Sequence, residues 1–277
     1  MSKEQPKLKK ANLLPNVITA FGLCCGLFVL FKMSMTGLGE VTRELLTITA
    51  GILLLAALAD LLDGAVARAM KVESEFGGFF DSIADAINFG VAPSVIVLKT
   101  LSIPPRTEWS YLVSAAAMIF SVCGVLRLVR FNVLSHRAAE DDFLMQEHKK
   151  YFTGLPIPAA AASLISLNLF LVSDELESIF SITPVTRAWV LFSGMLVLGY
   201  LMVSRLKFPS VKNLHIRVTS FYQVFLVVLF TVFVVFYGLM QHFSLVFVAI
   251  AWAYVFFALT LSLIRFLSGN KSSAEED

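Results

Sequence analysis

The chain has 277 residues, 57% of them hydrophobic, 25 of them Phe and 15% charged, with a formal net charge of +2. A soluble domain carries roughly 25% charged residues, so an aqueous globule is excluded in favour of a chain whose solvent is largely a bilayer. The near-balanced charge supplies no basic field of the kind that attracts nucleic acid, and no nucleic-acid partner is expected.

In chain order, Met1 to Lys10 is polar and basic and reads as an anchor at an anionic leaflet. Apolar windows of roughly 20 residues, the length that crosses a hydrocarbon core, follow near 17 to 37, 45 to 66, 79 to 101, 109 to 133, 157 to 173, 187 to 204, 220 to 239 and 243 to 266. The fifth is the shortest, and Pro156 and Pro158 bracket its start, where proline is tolerated. The predicted fold is all-α: a polytopic membrane helix bundle of about eight transmembrane helices. Its divisions are a basic segment 1–14, a membrane-embedded domain 15–267 and a disordered tail 268–277. Cys24, Cys25 and Cys123 fall inside apolar spans without metal spacing and read as packing residues.

Charge asymmetry sets the orientation. With the N-terminus inside, all 22 Lys and Arg collect on the cytoplasmic side except Lys32, Arg43, Lys99, Arg106 and Arg187, which places both termini in the cytoplasm. The same orientation puts the turn between the second and third spans on the cytoplasmic face. A bacterial inner membrane is the expected setting.

That turn carries the chemistry. Asp60-x-x-Asp63-Gly64-x-x-Ala67-Arg68 is followed by eight residues and then Gly77-x-x-x-Asp81-x-x-x-Asp85. Residues three or four apart share a helical face, so Asp60 and Asp63 project together from the end of one helix and Asp81 and Asp85 from the start of the next. Ionised groups in an apolar segment are costly unless a cation compensates them. An all-oxygen donor set suits two hard divalent cations, Mg2+ or Mn2+, rather than zinc, and Arg68 is a fork-shaped donor for phosphate oxygens. Any one Asp alone is equally well an ion-pathway residue or the partner of a buried Arg; the set of four, with a glycine-rich turn, argues for metal-assisted phosphoryl chemistry.

This pattern resembles the signature of the CDP-alcohol phosphotransferases, with every fixed position and the gap length matched. The resemblance implies transfer of a phosphoalkyl group from a CDP-linked alcohol to an acceptor hydroxyl with release of CMP, on a core of six membrane helices with two more at the C-terminal end. It also implies a homodimer. Residue by residue, Asp60, Asp63 and Asp81 match metal ligands, and Asp85 matches the general base lying near the second metal. Gly64, Ala67, Arg68 and Gly77 match positions lining the CDP pocket.

Three further segments resemble the branch of that family whose acceptor is serine: Pro15-Asn16-x-x-Thr19, Arg127 to Val133, and Tyr151 to Ala161. The branch often has Asn where this chain has Gly22, followed by a Gly matched by Gly26. Asn16 and Thr19, about one turn apart, are candidates for hydrogen bonds to the nucleotide or to carboxylates behind the metals, or for polar packing between helices. Arg127 and Arg130 share a face and are candidates to bind the lipid-side phosphate or the serine carboxylate, with snorkelling to headgroups as the alternative; Asn132 is a candidate for the serine ammonium or carboxylate. CDP-diacylglycerol and L-serine are thus the expected substrates, with membrane lipids around them. Glycerol 3-phosphate, inositol and choline are the rival acceptors, and an ion-coupled transporter built on a helix break is the rival class.

Overall fold

The computed structural model describes residues 13–37, 39–70, 74–101, 103–104, 106–138, 151–180, 182–204, 206–209 and 241–272. The chain divides into two compact units, Met1–Leu128 and Val129–Asp277. Among the described residues, six helical stretches are long and apolar enough to cross a membrane: Leu13–Met35, Arg43–Met70, Glu75–Leu101, Glu108–Leu134, Pro184–Val203 and Phe243–Ser262. Large apolar side chains such as Phe28, Leu55, Leu58, Leu61, Met118 and Phe257 stand exposed on them, as lipid-facing surfaces require.

In the first unit, α1 (Leu13–Met35) packs along α2 (Arg43–Met70). Small residues make the approach close: a Cβ on Gly22 would lie 3.4 Å from Ala59 Cβ and 3.6 Å from the Ala56 carbonyl. One end of α1 meets α2 through Thr19 and Asp63, and beyond its other end Lys99 Nζ donates to the Thr36 carbonyl at 3.0 Å. The third span starts as α3 (Glu75–Asp85), capped by Ser74, whose hydroxyl accepts from the Gly77 N–H at 3.0 Å. It passes through a π turn at Ala86–Val91 and continues as α4 (Ala92–Leu101).

Pro93 gives the reason for the interruption. Its ring has no N–H to donate and collides with the carbonyl four residues earlier in a regular helix, so the backbone widens just before it, with the Ala92 N–H reaching the Ile87 carbonyl. The sequence reading took this span as unbroken. The final helix of the unit, α5 (Glu108–Ala138), continues past Leu128 into the second unit.

In the second unit, a short antiparallel pairing joins β1 (Tyr151–Thr153) to β2 (Lys207–Pro209), in the register Phe152 opposite Phe208. Gly154 and Leu155 donate to the Leu206 and Leu201 carbonyls, tying the start of α6 (Ile157–Phe170) to the end of α8 (Pro184–Val203). Between them lies the short α7 (Asp174–Glu177), capped by Ser173. At the opposite end of α6, Arg187 donates to Asn168 Oδ1 at 3.1 Å. There too Glu175 meets His242 at 3.2 Å and Ser244 at 3.3 Å, beside the start of α9 (Phe243–Ser272). That last helix extends beyond the boundary at 267 read from the sequence.

The span expected at 157–173 is shorter than read: α6 has 14 residues, a rise of about 21 Å against a hydrocarbon core of about 30 Å. It ends because Ser173 starts a new helix, and its residues from Ile157 to Leu169 are mostly buried in protein. The span read at 220–239 lies outside the described residues.

Gly154 has φ +85°, and a Cβ there would lie 2.3 Å from the Met202 carbonyl oxygen. Gly154→Ala is therefore expected to destabilise this unit by at least about 1–2 kcal/mol, the left-handed penalty alone, read as a lower thermal unfolding midpoint in detergent. Ala159→Gly, on the neighbouring helix, is expected to have a smaller effect.

Candidate functional site

The four motif aspartates converge at one end of the first unit. Carboxylate oxygens of Asp60 and Asp63 on α2 and of Asp81 on α3 all lie within 4.8 Å of one another. Asp63 is 5% exposed, and the Asp60 and Asp81 carboxyl groups are in hydrogen-bond contact. Two like charges 4 Å apart repel by about 4 kcal/mol at an effective dielectric of 20, so these groups come together only with a cation or a shared proton between them. The donors are all oxygen, which fits a hard divalent ion and does not fit zinc. Asp60, Asp63 and Asp81 are the residues able to hold it.

Asp85, the last residue of α3, stands outside that triple but interacts electrostatically with Asp60, Asp63 and Asp81, and with Arg127 on α5. The π turn begins at the next residue.

Helix α1 supplies the support. Thr19 Oγ1 donates to Asp63 Oδ2 at 2.6 Å and lies 3.1 Å from the Pro15 carbonyl. Of the roles open to Thr19, the structure thus displays contact with a carboxylate of the cluster. Asn16 sits over the start of α3, where a Cβ on Gly77 would come 3.1 Å from Asn16 Oδ1. Arg68 folds back one turn, so that a Cβ on Gly64 would be 3.2 Å from its Nη1, and its side chain is exposed. Ala67 is half-buried beside it. Gly64 and Gly77 therefore mark places where backbone stays uncovered next to a polar side chain.

The arginines of α5 part company. Arg127 lies in the first unit and acts on Asp85. Arg130 lies in the second unit, where Nη1 donates to the Val203 carbonyl at 2.9 Å and Nη2 to that of Ser204 at 3.3 Å. Two of its five N–H groups are thus spent on closing the end of α8. Asn132, one turn on from Leu128, is half-buried.

Sequence reasoning passed over Asn88, Ser94 and Ser121. Asn88 is 2% exposed, and the signal for it was a polar amide one turn after Asp85 in an apolar span. For the serines there was no comparable signal, since hydroxyls inside membrane helices commonly bond their own backbone.

With this geometry in place, comparison with known proteins is direct. The model of the CDP-alcohol phosphatidyltransferase family matches residues 12–200. The chain belongs to the CDP-alcohol phosphatidyltransferase family. The matched region holds the whole carboxylate cluster and the helices α6 and most of α8 besides. Membership, with six helices able to cross a bilayer among the described residues, makes it an integral membrane protein. A Mycobacterium leprae protein named CDP-diacylglycerol-serine O-phosphatidyltransferase is 30% identical over 232 residues, 83% of this chain and 69% of that one. A Bacillus subtilis protein of the same name is 30% identical over 204 residues, covering 73% of this chain and 93% of the relative. A Mycobacterium tuberculosis protein of that name is 31% identical over 156 residues, and the match spans 56% of this chain and 49% of the relative.

Thr19 offers a test of the support from α1. Groups that orient a metal-binding carboxylate typically change metal affinity by about 10–100-fold, so Thr19→Val is expected to raise the Mn2+ concentration needed for cytidine-nucleotide binding by that order. Thr19→Ser should stay near the wild type, both read by calorimetric titration.

Proposed function

We propose that this chain transfers the phosphatidyl group of CDP-diacylglycerol to the hydroxyl of L-serine, giving phosphatidylserine and CMP. The observation that carries the reading is the convergence of Asp60, Asp63 and Asp81 within 4.8 Å, with Asp85 at their edge, in a family of CDP-alcohol phosphatidyltransferases. Relatives named for serine support the choice of acceptor, as do the Arg127 to Val133 and Tyr151 to Ala161 segments.

In this reading Asp60, Asp63, Asp81 and Asp85 hold two divalent cations, Mg2+ or Mn2+. Ions held there would supply charge neutralisation for the pyrophosphate and for the departing phosphate. Arg68, exposed beside Gly64, binds pyrophosphate oxygens, while Asn16, Thr19, Gly64, Ala67 and Gly77 shape the cytidine pocket. The serine hydroxyl is weakly nucleophilic at neutral pH. Asp85 accepts its proton as the oxygen attacks the phosphorus bearing diacylglycerol, the new P–O bond forms, the pyrophosphate P–O bond breaks and CMP leaves. Positioning and charge compensation supply most of the acceleration, with proton removal adding about 100-fold to 10,000-fold. Arg127, and Arg130 with Asn132, hold the acceptor carboxylate or the lipid phosphate.

The membrane arrangement belongs to the same proposal: a catalytic domain over 15–267 with about eight crossings, both termini and the site on the cytoplasmic face of a bacterial inner membrane, working as a homodimer.

The acceptor is tested in membranes given CDP-diacylglycerol with Mn2+ or Mg2+ and serine, inositol, glycerol 3-phosphate or choline in turn. CMP release with serine alone is the expected outcome. Release only with another acceptor moves the chain to a different branch, and release with none favours a transporter. Asp85→Asn is expected to lower turnover by at least about 100-fold, while metal-dependent nucleotide binding, still supported by Asp60, Asp63 and Asp81, falls much less. Equal loss of both would remove the base role.

A further inference from the structure

The third span is gripped on both sides immediately after Asp85, and nothing in the reaction scheme above uses that grip. On one side, Asn88 presses into α1: a Cβ on Gly26 would fall 1.9 Å from Asn88 Oδ1, 2.9 Å from its Cγ and 3.3 Å from its Cα. The contact exists because residue 26 has no side chain. Asn88 is buried, and its Oδ1 has no hydrogen-bond partner, an unfavourable arrangement that persists where the surrounding packing holds it.

On the other side, the π turn is tied to α5. Ser121 Oγ lies 2.9 Å from the Gly90 carbonyl, 3.0 Å from the Ala117 carbonyl and 3.0 Å from Ser94 Oγ. Ser94 Oγ lies 3.4 Å from the same Gly90 carbonyl and 3.3 Å from that of Ala117, so the two hydroxyls together bind the turn to α5. Helix α5 is antiparallel to the third span here. In the same antiparallel register Arg127, six residues later, is the cation that interacts electrostatically with Asp85, five residues earlier.

We propose that the π turn Ala86–Val91 is a positioning device: the wedge of Asn88 against Gly26 and the Ser121 to Gly90 tie fix the rotation of Asp85 toward the cluster and its register with Arg127. Asn88 and Ser121 are then positioning residues for the reaction, and Gly26 is the socket that receives the wedge. The π turn suits the task because it is the one place in the span where the helical phase differs from that of α3, so holding it holds the phase at which Asp85 projects. The proposal rests on the reading of Asp85 as the base.

The test is a rescue cycle in the full-length protein in membranes, with kcat, KM for serine and for CDP-diacylglycerol, and metal-dependent CMP affinity read separately. A misplacement of about 1 Å costs about 100-fold, so Gly26→Ala, which drives a methyl into Asn88, is expected to lower kcat by about 10–100-fold with CMP affinity and lipid KM changed by less than about threefold. Adding Asn88→Ala removes both Oδ1 and Cγ, the two nearest atoms, and is expected to return kcat to within about threefold of the Asn88→Ala single variant.

Ser121→Ala should lower kcat and raise the serine KM through Arg127, while Ser121→Thr, which keeps the donor, should restore both. If Gly26→Ala does not accumulate in membranes, the Ser121 pair decides. The proposal is overturned by wild-type kcat in Gly26→Ala, by a double variant no better than Gly26→Ala, or by CMP affinity falling in step with kcat. It is equally overturned by Ser121→Thr behaving like Ser121→Ala. Turnover retained in Asp85→Asn, with the rescue cycle as expected, would instead remove the base assignment and leave the grip on the turn standing.

Discussion

Mutual repulsion among carboxylates embedded in apolar helices is the constraint around which the first unit is arranged. Asp60 and Asp81 touch, and Asp63 lies within the same few ångströms. Such a cluster is unfavourable in the membrane unless a cation or a shared proton compensates it, and the surrounding helices keep its carboxylates together for that purpose. That requirement accounts for features that simple hydrophobic packing does not demand: a threonine hydroxyl turned onto Asp63, glycines at the points where α1 meets α2 and the π turn, and a capped start to α3.

The helices nearest the cluster divide the work. Helix α2 presents the first pair of aspartates, α3 the second, and α1 braces both, through Thr19 to Asp63 and Asn16 at Gly77. Helix α5 adds the cation, Arg127, that acts on Asp85. The third span is the most enclosed of the crossing helices, with 50% of its apolar window buried against 33% for α1 and α2.

Much of the site was legible because its spacing is local. Carboxylates three and four residues apart fall on one face of whichever helix carries them, and a turn of fixed length brings two such faces together. The contact between Thr19 and Asp63 spans 44 positions in the chain, and no periodicity announces it. Arg127 and Arg130 look equivalent in sequence, yet one acts on Asp85 and the other binds the Val203 and Ser204 carbonyls. A helical face only says that two side chains start out in similar directions, and the neighbours decide what they meet. The shortness of α6 was likewise hidden, since an apolar run buried in protein has the same composition as one buried in lipid.

By itself the sequence determined a membrane protein with paired acidic residues on two adjoining helices and the family pattern that goes with them. Hydrophobicity over a window and the helical repeat are properties of consecutive residues, and consecutive residues are what a chain displays. Tertiary structure decided how those carboxylates are braced, which arginine interacts electrostatically with Asp85, and that the third span loosens into a π turn lodged between Gly26 and Ser121. Each of these depends on how close separate helices come, and that distance is set only when their side chains pack.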